Sequence, residues 1–328
     1  MIPEAPPATK NWKLLERRSV VSGHPRTVCV ANQKGGVAKT TTSVNLAVGL
    51  ALRGHRVLIV DVDPQSNATT AVGLDHRRVP RSTYDLLARG APFEDVVQRT
   101  PTRNLDVVPA SLDLAGAEIE LVGSIARERK LIEALEGHLD DYELVFLDCP
   151  PSLGLLTINA LVAAQDLIVP VQCEYYALEG LGQLLGTAER IRRALNPELR
   201  IVGLLLTMYD ARTKLSSQVA DEVRSHFGAL VLKTVIPRSV RISEAPSYGE
   251  SVLTLDPSSR GAVAYRLLAI EIEERFGLEV HVPPPPPPIA ASVAAEPGPG
   301  GRGYGTVAPE PPATAGAWPS GRPWSVPT

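Results

Sequence analysis

Short runs of β-branched and aliphatic residues alternate with longer stretches of helical periodicity from Thr27 onward. The runs are almost entirely apolar, as expected of strands that are buried on both faces of a sheet. Because parallel neighbours need a crossover connection between them, strands separated by helices predict a mostly parallel sheet. The predicted strands are Thr27–Ala31, Arg56–Asp61, Leu105–Pro109, Leu144–Asp148, Leu167–Val171 and Ile201–Met208.

The stretches between these runs have the ends expected of helices, with glycine or Asn-Pro following the last apolar turn. Three of them are well delimited: about Lys39 to Gly54, about Glu179 to Asn196-Pro197, and about Gly261 to Phe276. Together with the strands, they predict an α/β fold in which helices cover both faces of a mostly parallel sheet. No internal repeat is found.

The composition changes at both ends of this region. Residues 1–25 lack a sustained apolar period, which predicts a flexible basic arm. Residues 281–328 contain six consecutive prolines and few bulky apolar residues, so burial cannot offset the entropy of ordering them. We therefore expect one folded domain over residues 26–280, followed by a disordered Pro/Gly-rich tail. The basic residues of the arm are Lys10, Lys13, Arg17 and Arg18.

Bulk composition narrows the class of protein. No apolar stretch approaches the roughly 18 residues that a membrane-spanning helix needs, and no signal peptide is seen. The three cysteines, Cys29, Cys149 and Cys173, lack the spacing of a metal or cluster site and suit a reducing cytosol. The net charge of -3 leaves local basic patches as the only electrostatic route to nucleic acid. We expect a cytoplasmic protein without a membrane partner.

A phosphate-binding loop follows the first predicted strand. Residues 32–41 read NQKGGVAKTT and lead directly into a helix. Backbone N–H groups of such a loop surround phosphate oxygens, Lys39 reaches the β and γ phosphates, and Thr40 offers its hydroxyl to Mg²⁺. Gln33 and Ala38 occupy the two glycine positions of the strict motif, so a Gly-rich turn without a ligand is the alternative for this segment alone.

Carboxylates follow two other predicted strands. Asp61 and Asp63 come at the end of the second strand, and Asp148 ends the strand that begins at Leu144. The carboxyl ends of neighbouring parallel strands meet at one edge of a sheet, where such carboxylates hold Mg²⁺. A single carboxylate at a strand end is more often a helix cap or turn former, but the combination with the loop indicates a P-loop NTPase site.

Several long segments resemble the ParA/Soj partition ATPases, among them ANQKGGVAKTTTSVNLA, DVDPQSNAT, LAGAEIELV, DCPPSLGLLTINAL, PVQCEYYALEGL, LLTMYDART and TVIPRSVRISEAPSYGESV. The resemblance covers about residues 27–277. It implies a deviant Walker A ATPase of the MinD/ParA type that uses ATP and Mg²⁺, with ATP held between two subunits. The implied partners are a second copy of the chain, non-specific DNA and a ParB-like centromere-binding protein that stimulates slow hydrolysis.

The resemblance also assigns roles to individual residues. Lys34 matches the signature lysine that crosses the dimer interface, Asp63 matches the carboxylate that positions the attacking water, and Asp148 matches the Walker B residue. Asp61 is expected to support the switch loop and the metal shell. The predicted catalytic residues are Lys34, Lys39 and Asp63; the metal-binding residues are Thr40, Asp148 and Asp61. The nucleotide-binding residues are Lys34, Gly35, Gly36, Val37, Ala38, Lys39, Thr40, Thr41 and Pro237.

Family members most often have glycine at the position of Ala38. If this backbone needs a positive φ, alanine adds roughly 1 kcal/mol of strain. Ala38 either is tolerated or displaces Lys39 and slows hydrolysis.

Basic residues near the C-terminal end of the domain are the DNA-binding candidates. Arg212 and Arg241 match family arginines implicated in non-specific DNA binding, while a solvated face or structural ion pairs is the alternative for Lys233 and Arg238. The predicted DNA-binding residues are Arg212, Lys233, Arg238 and Arg241.

The sequence therefore predicts an ATPase of chromosome or plasmid segregation, associated with the nucleoid. The alternatives are a MinD-like positioning ATPase and an ATP-gated DNA-binding scaffold that hydrolyses ATP very slowly. Two other motifs have simpler interpretations: Tyr175-Tyr176 as packing residues and Cys149 as a buried thiol.

Overall fold

The computed structural model of the protein describes residues 25–174 and 177–279. The predicted N-terminal arm up to residue 24, the Tyr175-Tyr176 pair and the predicted tail from residue 281 lie outside the described residues.

One eight-stranded sheet runs through this part of the chain, in the order β3-β4-β2-β5-β1-β6-β7-β8. All neighbouring strands are parallel except β3 and β4, which pair antiparallel. The strands are β1 Arg26–Val30, β2 Val57–Asp61, β3 Gln98–Arg99, β4 Leu105–Val108, β5 Leu144–Asp148, β6 Asp166–Gln172, β7 Arg200–Tyr209 and β8 Val231–Pro237.

Helices pack on both faces of the sheet. Successive residues of a strand contribute to opposite faces: Val28 and Val30 pack on one side, whereas Cys29 packs on the other. The helices are α1 Lys39–Leu52, α2 Asn67–Ala71, α3 Thr83–Arg89, α4 Phe93–Val96, α5 Leu114–Glu120, α6 Lys130–Leu135, α7 Leu155–Ala163, α8 Ala177–Ala194, α9 Lys214–Phe227, α10 Val240–Glu244, α11 Val252–Leu255 and α12 Arg260–Phe276. The core on one face is built mainly by α1, α2, α11 and α12 and on the other by α3 and α5 to α9.

The predicted α/β architecture is confirmed, and each predicted strand is present with its ends shifted by one residue at most. Two strands were not predicted. β3 has only two residues, and β8 carries Lys233 and Thr234 in its middle, so neither forms an apolar run. Both lie at edges of the sheet, where a strand is not buried on all sides.

The ends of α12 follow from local chemistry. Its first turn is capped by the Ser259 hydroxyl, which accepts a hydrogen bond from the backbone N–H of Ala262. It ends at Gly277, whose φ of 65° is the left-handed conformation that glycine adopts readily. Within residues 25–174 and 177–279, no helix is long and apolar enough to cross a membrane.

Candidate active site

Three strands bring the loop after β1, Asp61 and Asp148 together at the carboxyl edge of the sheet. The central strand β5 lies between β1 and β2, and Asp148 at its end is in register with Val30 of β1 and Asp61 of β2. The loop of residues 31–38 continues from β1 into α1, where Thr40 binds Asp148. The predicted convergence of the loop with Asp61 and Asp148 is therefore present.

The loop has two residues in the left-handed region. Gly36 has φ 72°, and Ala38, which precedes α1, has φ 70° and ψ 36°. Neighbouring strands hold the loop in place: the Asn32 amide donates to the carbonyl of Pro170 over 2.7 Å, and the Thr207 hydroxyl donates to the carbonyl of Val37 over 3.1 Å. Sequence reasoning did not identify either contact, because each joins residues that are far apart in the chain.

Lys39 is a buried ammonium, with 7% of the residue exposed. Its Nζ donates to the carbonyl of Lys34 over 3.2 Å, and among the described residues no carboxylate lies within ion-pairing distance of it. Burial lowers its pKa, although Asp148 and Asp63 act in the opposite direction. The hydrogen-bond acceptor of this buried ammonium within the described residues is the neutral carbonyl of Lys34. Such a cation is suited to bind an anionic ligand such as a phosphate.

Asp148 is fully buried and binds two hydroxyl groups of α1. Thr40 donates to its Oδ2 and Ser43 donates to its Oδ1, each over 2.7 Å. Burial raises the pKa of Asp148, and these two hydrogen bonds oppose that shift. A threonine hydroxyl beside a carboxylate at a helix N-terminus fits Mg²⁺, which completes its octahedron with waters and phosphate oxygens. Ser43 was missed by sequence reasoning, although helical spacing puts it one turn beyond Lys39.

Asp61 lies behind this pair and is also fully buried. Its Oδ2 accepts hydrogen bonds from the backbone N–H and the hydroxyl of Thr69, at 2.8 and 2.7 Å, and its Oδ1 accepts from the backbone N–H of Asp63 at 3.2 Å. Burial, followed by repulsion from Asp148, raises the pKa of Asp61. These contacts fix the segment from β2 to α2, so Asp61 organises the loop that carries Asp63.

Asp63 and Lys34 differ in their exposure to solvent. Asp63 is 5% exposed, and its Oδ1 accepts a hydrogen bond from the backbone N–H of Gln65 at 3.0 Å. The Lys34 side chain is 37% exposed, and its Nζ is 3.6 Å from Oε2 of Glu174. Lys34 therefore extends towards solvent, whereas Lys39 points inward.

Pro237 is not brought to the phosphate loop by the sheet. It ends β8 and pairs with Tyr209 of β7, while β6 and β7 separate β8 from β1. Its assignment as a nucleotide-binding residue remains a prediction.

Three of the four DNA-binding candidates lie near the carboxyl ends of β7 and β8. The backbone N–H of Arg238 donates to the carbonyl of Tyr209, which joins the two loops. Arg212 is 87% exposed and forms a bidentate pair with Asp210 at 2.9 and 2.7 Å. Arg241 lies near Glu244 and Asp256, at 3.2 and 3.5 Å.

Lys233 lies apart from these arginines. It is the third residue of β8 and is separated from Arg238 by about 16 Å of extended chain.

The cysteine next to Asp148 is buried, as expected. Cys149 and Cys29 are both fully buried, with their Sγ atoms 3.3 Å apart. The contact with Cys29 and burial raise the pKa of Cys149, which disfavours a nucleophilic thiolate. The part of the chain that the structure describes has no group of three or more His, Cys, Asp or Glu side chains arranged to hold a metal ion.

Comparison with known proteins places this geometry in a family. Residues 25–201 match the protein family described as AAA domain. The chain is 55% identical over 245 residues to the sporulation initiation inhibitor protein Soj of Bacillus subtilis, an alignment that covers 75% of this chain and 97% of that protein. It is 50% identical over 258 residues to the chromosome partitioning protein ParA of Caulobacter vibrioides, covering 78% and 97% respectively.

Solved structures share the fold. One is described as cobyrinic acid a,c-diamide synthase from Mycobacterium smegmatis with a bound ATP analog and magnesium; it is 39% identical, has a TM-score of 0.69, and the match covers 79% of this chain and 99% of that chain. Another is the septum site-determining protein MinD of Pyrococcus horikoshii complexed with Mg-ADP, which is 28% identical with a TM-score of 0.63 and coverage of 77% and 98%.

Proposed function

Because this chain belongs to the Soj/ParA family of chromosome-partitioning ATPases, we propose that it binds Mg-ATP at the phosphate loop and hydrolyses it slowly until a partner protein stimulates it. The observation that carries this proposal is the convergence of buried Lys39 with Thr40 and Asp148 at the N-terminus of α1. Identity to the partition proteins exceeds the 39% identity to the diamide synthase, which favours partition.

The chain's own residues have separate tasks in this reaction. Lys39 neutralises charge on the terminal phosphates, and the N–H groups of the loop and of α1 hold the phosphate oxygens. Thr40 and Asp148 would hold Mg²⁺, the latter directly or through water. Bound Mg²⁺ supplies further positive charge to the phosphates. Asp63 orients the attacking water and accepts its proton, and Asp61 keeps the Asp63 loop in place through Thr69.

The exposure of Lys34 supports an ATP-dependent dimer. An exposed ion pair such as Lys34–Glu174 stabilises by only about 0–1 kcal/mol, so the ammonium group is easily released to a second anion. We infer that this anion is the nucleotide phosphate of the opposite subunit. ATP then lies between two copies of the chain.

A dimer switch is tested by separating ATP binding from dimerisation. We expect Lys34→Ala to retain ATP binding by the monomer but to lose the ATP-induced dimer in analytical ultracentrifugation. Glu174→Ala is the matched control, because it removes the ion pair and leaves the lysine; it should dimerise like the unaltered chain. A Lys34→Ala protein that still dimerises with ATP would refute the role of Lys34.

DNA binding is proposed to depend on this dimer. Arg212, Arg238 and Arg241 line one edge of the domain, and two copies double the number of phosphate contacts. Linked contacts raise the apparent affinity through effective concentration. ATP thereby promotes DNA retention, and hydrolysis stimulated by a ParB-like centromere-binding protein releases the DNA. This cycle implies a cytoplasmic protein associated with the nucleoid.

Retention on random-sequence duplex DNA tests this proposal. We expect retention with ATP but not with ADP or without nucleotide, and a decrease in retention as the salt concentration rises. Arg241→Ala should weaken retention on all sequences and reduce the salt slope by about one for each DNA phosphate that the dimer no longer binds. Arg78→Ala, another exposed arginine with one ion pair, is the control and should have no effect.

Two results would contradict the proposal in different ways. Equal retention in all nucleotide states would separate DNA binding from the ATP switch. Loss of ATP binding by Arg241→Ala would instead make this arginine structural, since its ion pairs with Glu244 and Asp256 join α10 to the segment before α12.

Two alternatives have an observation in their favour. The likeness to MinD supports a positioning ATPase of another cargo. The left-handed backbone at Ala38 supports an ATP-gated DNA-binding scaffold with very slow hydrolysis. Turnover measured with and without a centromere-binding partner distinguishes the scaffold, because a scaffold shows ATP-dependent DNA retention without stimulated phosphate release.

A further inference from the structure

An apolar groove lies between α12 and the edge strand β8, away from the phosphate loop. Its volume is about 620 Å³. The wall formed by α12 presents aliphatic side chains at helical spacing, and two of them are largely open to solvent: Val263 is 42% exposed and Leu267 is 54% exposed. The other apolar lining residues are Val235, Pro237, Ala264 and Ile270. Such a surface is stabilised when other apolar groups cover it.

The edge of β8 indicates how the groove is filled. The backbone N–H groups of Lys233 and Thr234 both donate to the carboxylate of Glu271, each over 2.8 Å. These edge donors are therefore satisfied within the domain, and an added β-strand would have to displace a buried carboxylate. The groove is suited to apolar side chains from a helix or a loop rather than to an extra strand.

The N-terminal segment of this chain carries a matching set of side chains. Trp12, Leu14 and Leu15 lie within four positions of one another, with Lys13 between them and Glu16 directly after them, in a segment that also contains Lys10, Arg17 and Arg18. The segment joins the domain at Arg26, whose guanidinium lies 4.4 Å above the ring centre of Phe276 in the last turn of α12. It therefore starts beside the helix that forms the groove.

The connection is long enough to reach every part of the groove. Between Leu15 and Arg26 there are 26 − 15 = 11 residue steps, which span up to about 36–40 Å when extended. The 17 residues of α12 are about 25 Å long. A tether of this length holds the cluster at an effective concentration of about 1 mM, so even weak docking is populated.

We propose that Trp12, Leu14 and Leu15 dock in the α12–β8 groove of the same chain. The charges of the groove are balanced and do not oppose this arrangement, because Lys233, Arg260, Glu271 and Glu274 all line it, and Glu274 lies near the end of α12 from which the segment departs. Docking brings the basic residues of the segment to the same face as Lys233. If the proposed DNA binding holds, the docked segment enlarges the DNA-binding surface; docking itself does not depend on that function.

Trp12 is a suitable reporter of docking. The chain has three tryptophans, so replacing Trp318 and Trp324 by phenylalanine in the full-length protein leaves Trp12 alone. We expect blue-shifted Trp12 emission and weak quenching by acrylamide, measured without nucleotide or DNA. Leu267→Glu should raise the quenching constant by about twofold or more, because undocking exposes the indole. Val263→Glu is an independent second variant and should act alike.

One control variant and three contrary outcomes complete the test of docking. Val240 is 71% exposed on α10 and does not line the groove, so Val240→Glu should leave the quenching constant unchanged. Quenching as strong as that of a free tryptophan amide in the unaltered groove would overturn the proposal, as would protection that survives both Leu267→Glu and Val263→Glu. Protection that grows with protein concentration would also overturn it, because the groove of a second copy would then hold the segment.

Discussion

The left-handed backbone at Ala38 gives a quantitative prediction for the phosphate loop. At φ 70° and ψ 36°, an L-residue with a Cβ is disfavoured by roughly 1–2 kcal/mol. Replacing alanine with glycine removes this strain but raises the conformational entropy of the unfolded chain, at a cost of about 0.4–1 kcal/mol. The difference between these two ranges is about 0–1.6 kcal/mol, so Ala38→Gly should raise the free energy of unfolding by about 0.8 kcal/mol at their midpoints. Urea unfolding measures this change.

The strain energy at Ala38 also limits how far Ala38→Gly can raise the turnover of ATP. If all of a strain of about 1 kcal/mol were relieved only in the transition state, turnover would rise by about fivefold, since about 1.4 kcal/mol corresponds to tenfold. Ala38 is tolerated if Ala38→Gly changes phosphate release by less than this factor. Ala126 offers a matched control, because it is also left-handed, with φ 51°, and precedes a short 3₁₀ turn rather than the phosphate loop.

Comparing Ala38→Gly with Ala126→Gly distinguishes backbone strain at residue 38 from misplacement of the Lys39 side chain. Ala126→Gly should gain similar stability and leave turnover unchanged. A rise in turnover by orders of magnitude in Ala38→Gly alone would show that alanine holds Lys39 away from its catalytic position, and it would refute the hypothesis that Ala38 is tolerated.

Two further predictions concern the core of the domain. In β7, a Cβ on Gly203 would lie 2.6 Å from Cγ of Leu232, so Gly203→Ala should lower the free energy of unfolding by about 1–3 kcal/mol. Gly186→Ala in α8 is the control and should not lower it, because no atom lies within 4 Å of the added carbon. Equal urea midpoints for the two variants would contradict this prediction. Asp61 has a raised folded-state pKa, caused by burial and by Asp148. The folded state therefore holds a proton that the unfolded state has lost, and the stability of the nucleotide-free protein should fall as pH rises from about 4 through the raised pKa. Asp61→Asn should flatten that slope, and an unchanged slope would show that Asp61 does not titrate in this range.

The sheet could be predicted largely because its central strands are uniform. β1, β2 and β5 are buried on both faces, so each is an apolar run bounded by polar residues. β8 escaped prediction because an edge strand tolerates polar residues. Its Lys233 is exposed, and Glu271 of α12 binds the backbone beside it. That contact depends on where α12 packs, which a local pattern does not record.

The convergence of the loop with the carboxylates was predictable from the parallel sheet alone, although the order of the strands, with β5 between β1 and β2, was not predicted. The loop after β1 and the carboxylates after β2 and β5 lie together because parallel neighbours end at one edge. The partners of these carboxylates were not predictable, since they require the register between distant elements. Ser43 reaches Asp148 across 105 positions of sequence, and Thr69 reaches Asp61 only because α2 folds back over β2.

Strand geometry also separates residues that the sequence places close together. Lys233 and Arg238 are five positions apart and appear as one basic stretch, but in an extended strand five positions span about 16 Å. Arg212 is far from both in sequence, yet the hydrogen bond from Arg238 to Tyr209 joins its loop to that of Arg238. The basic residues at the carboxyl edge, Arg212 and Arg238, therefore come from two loops, and Lys233 lies apart from them within the strand.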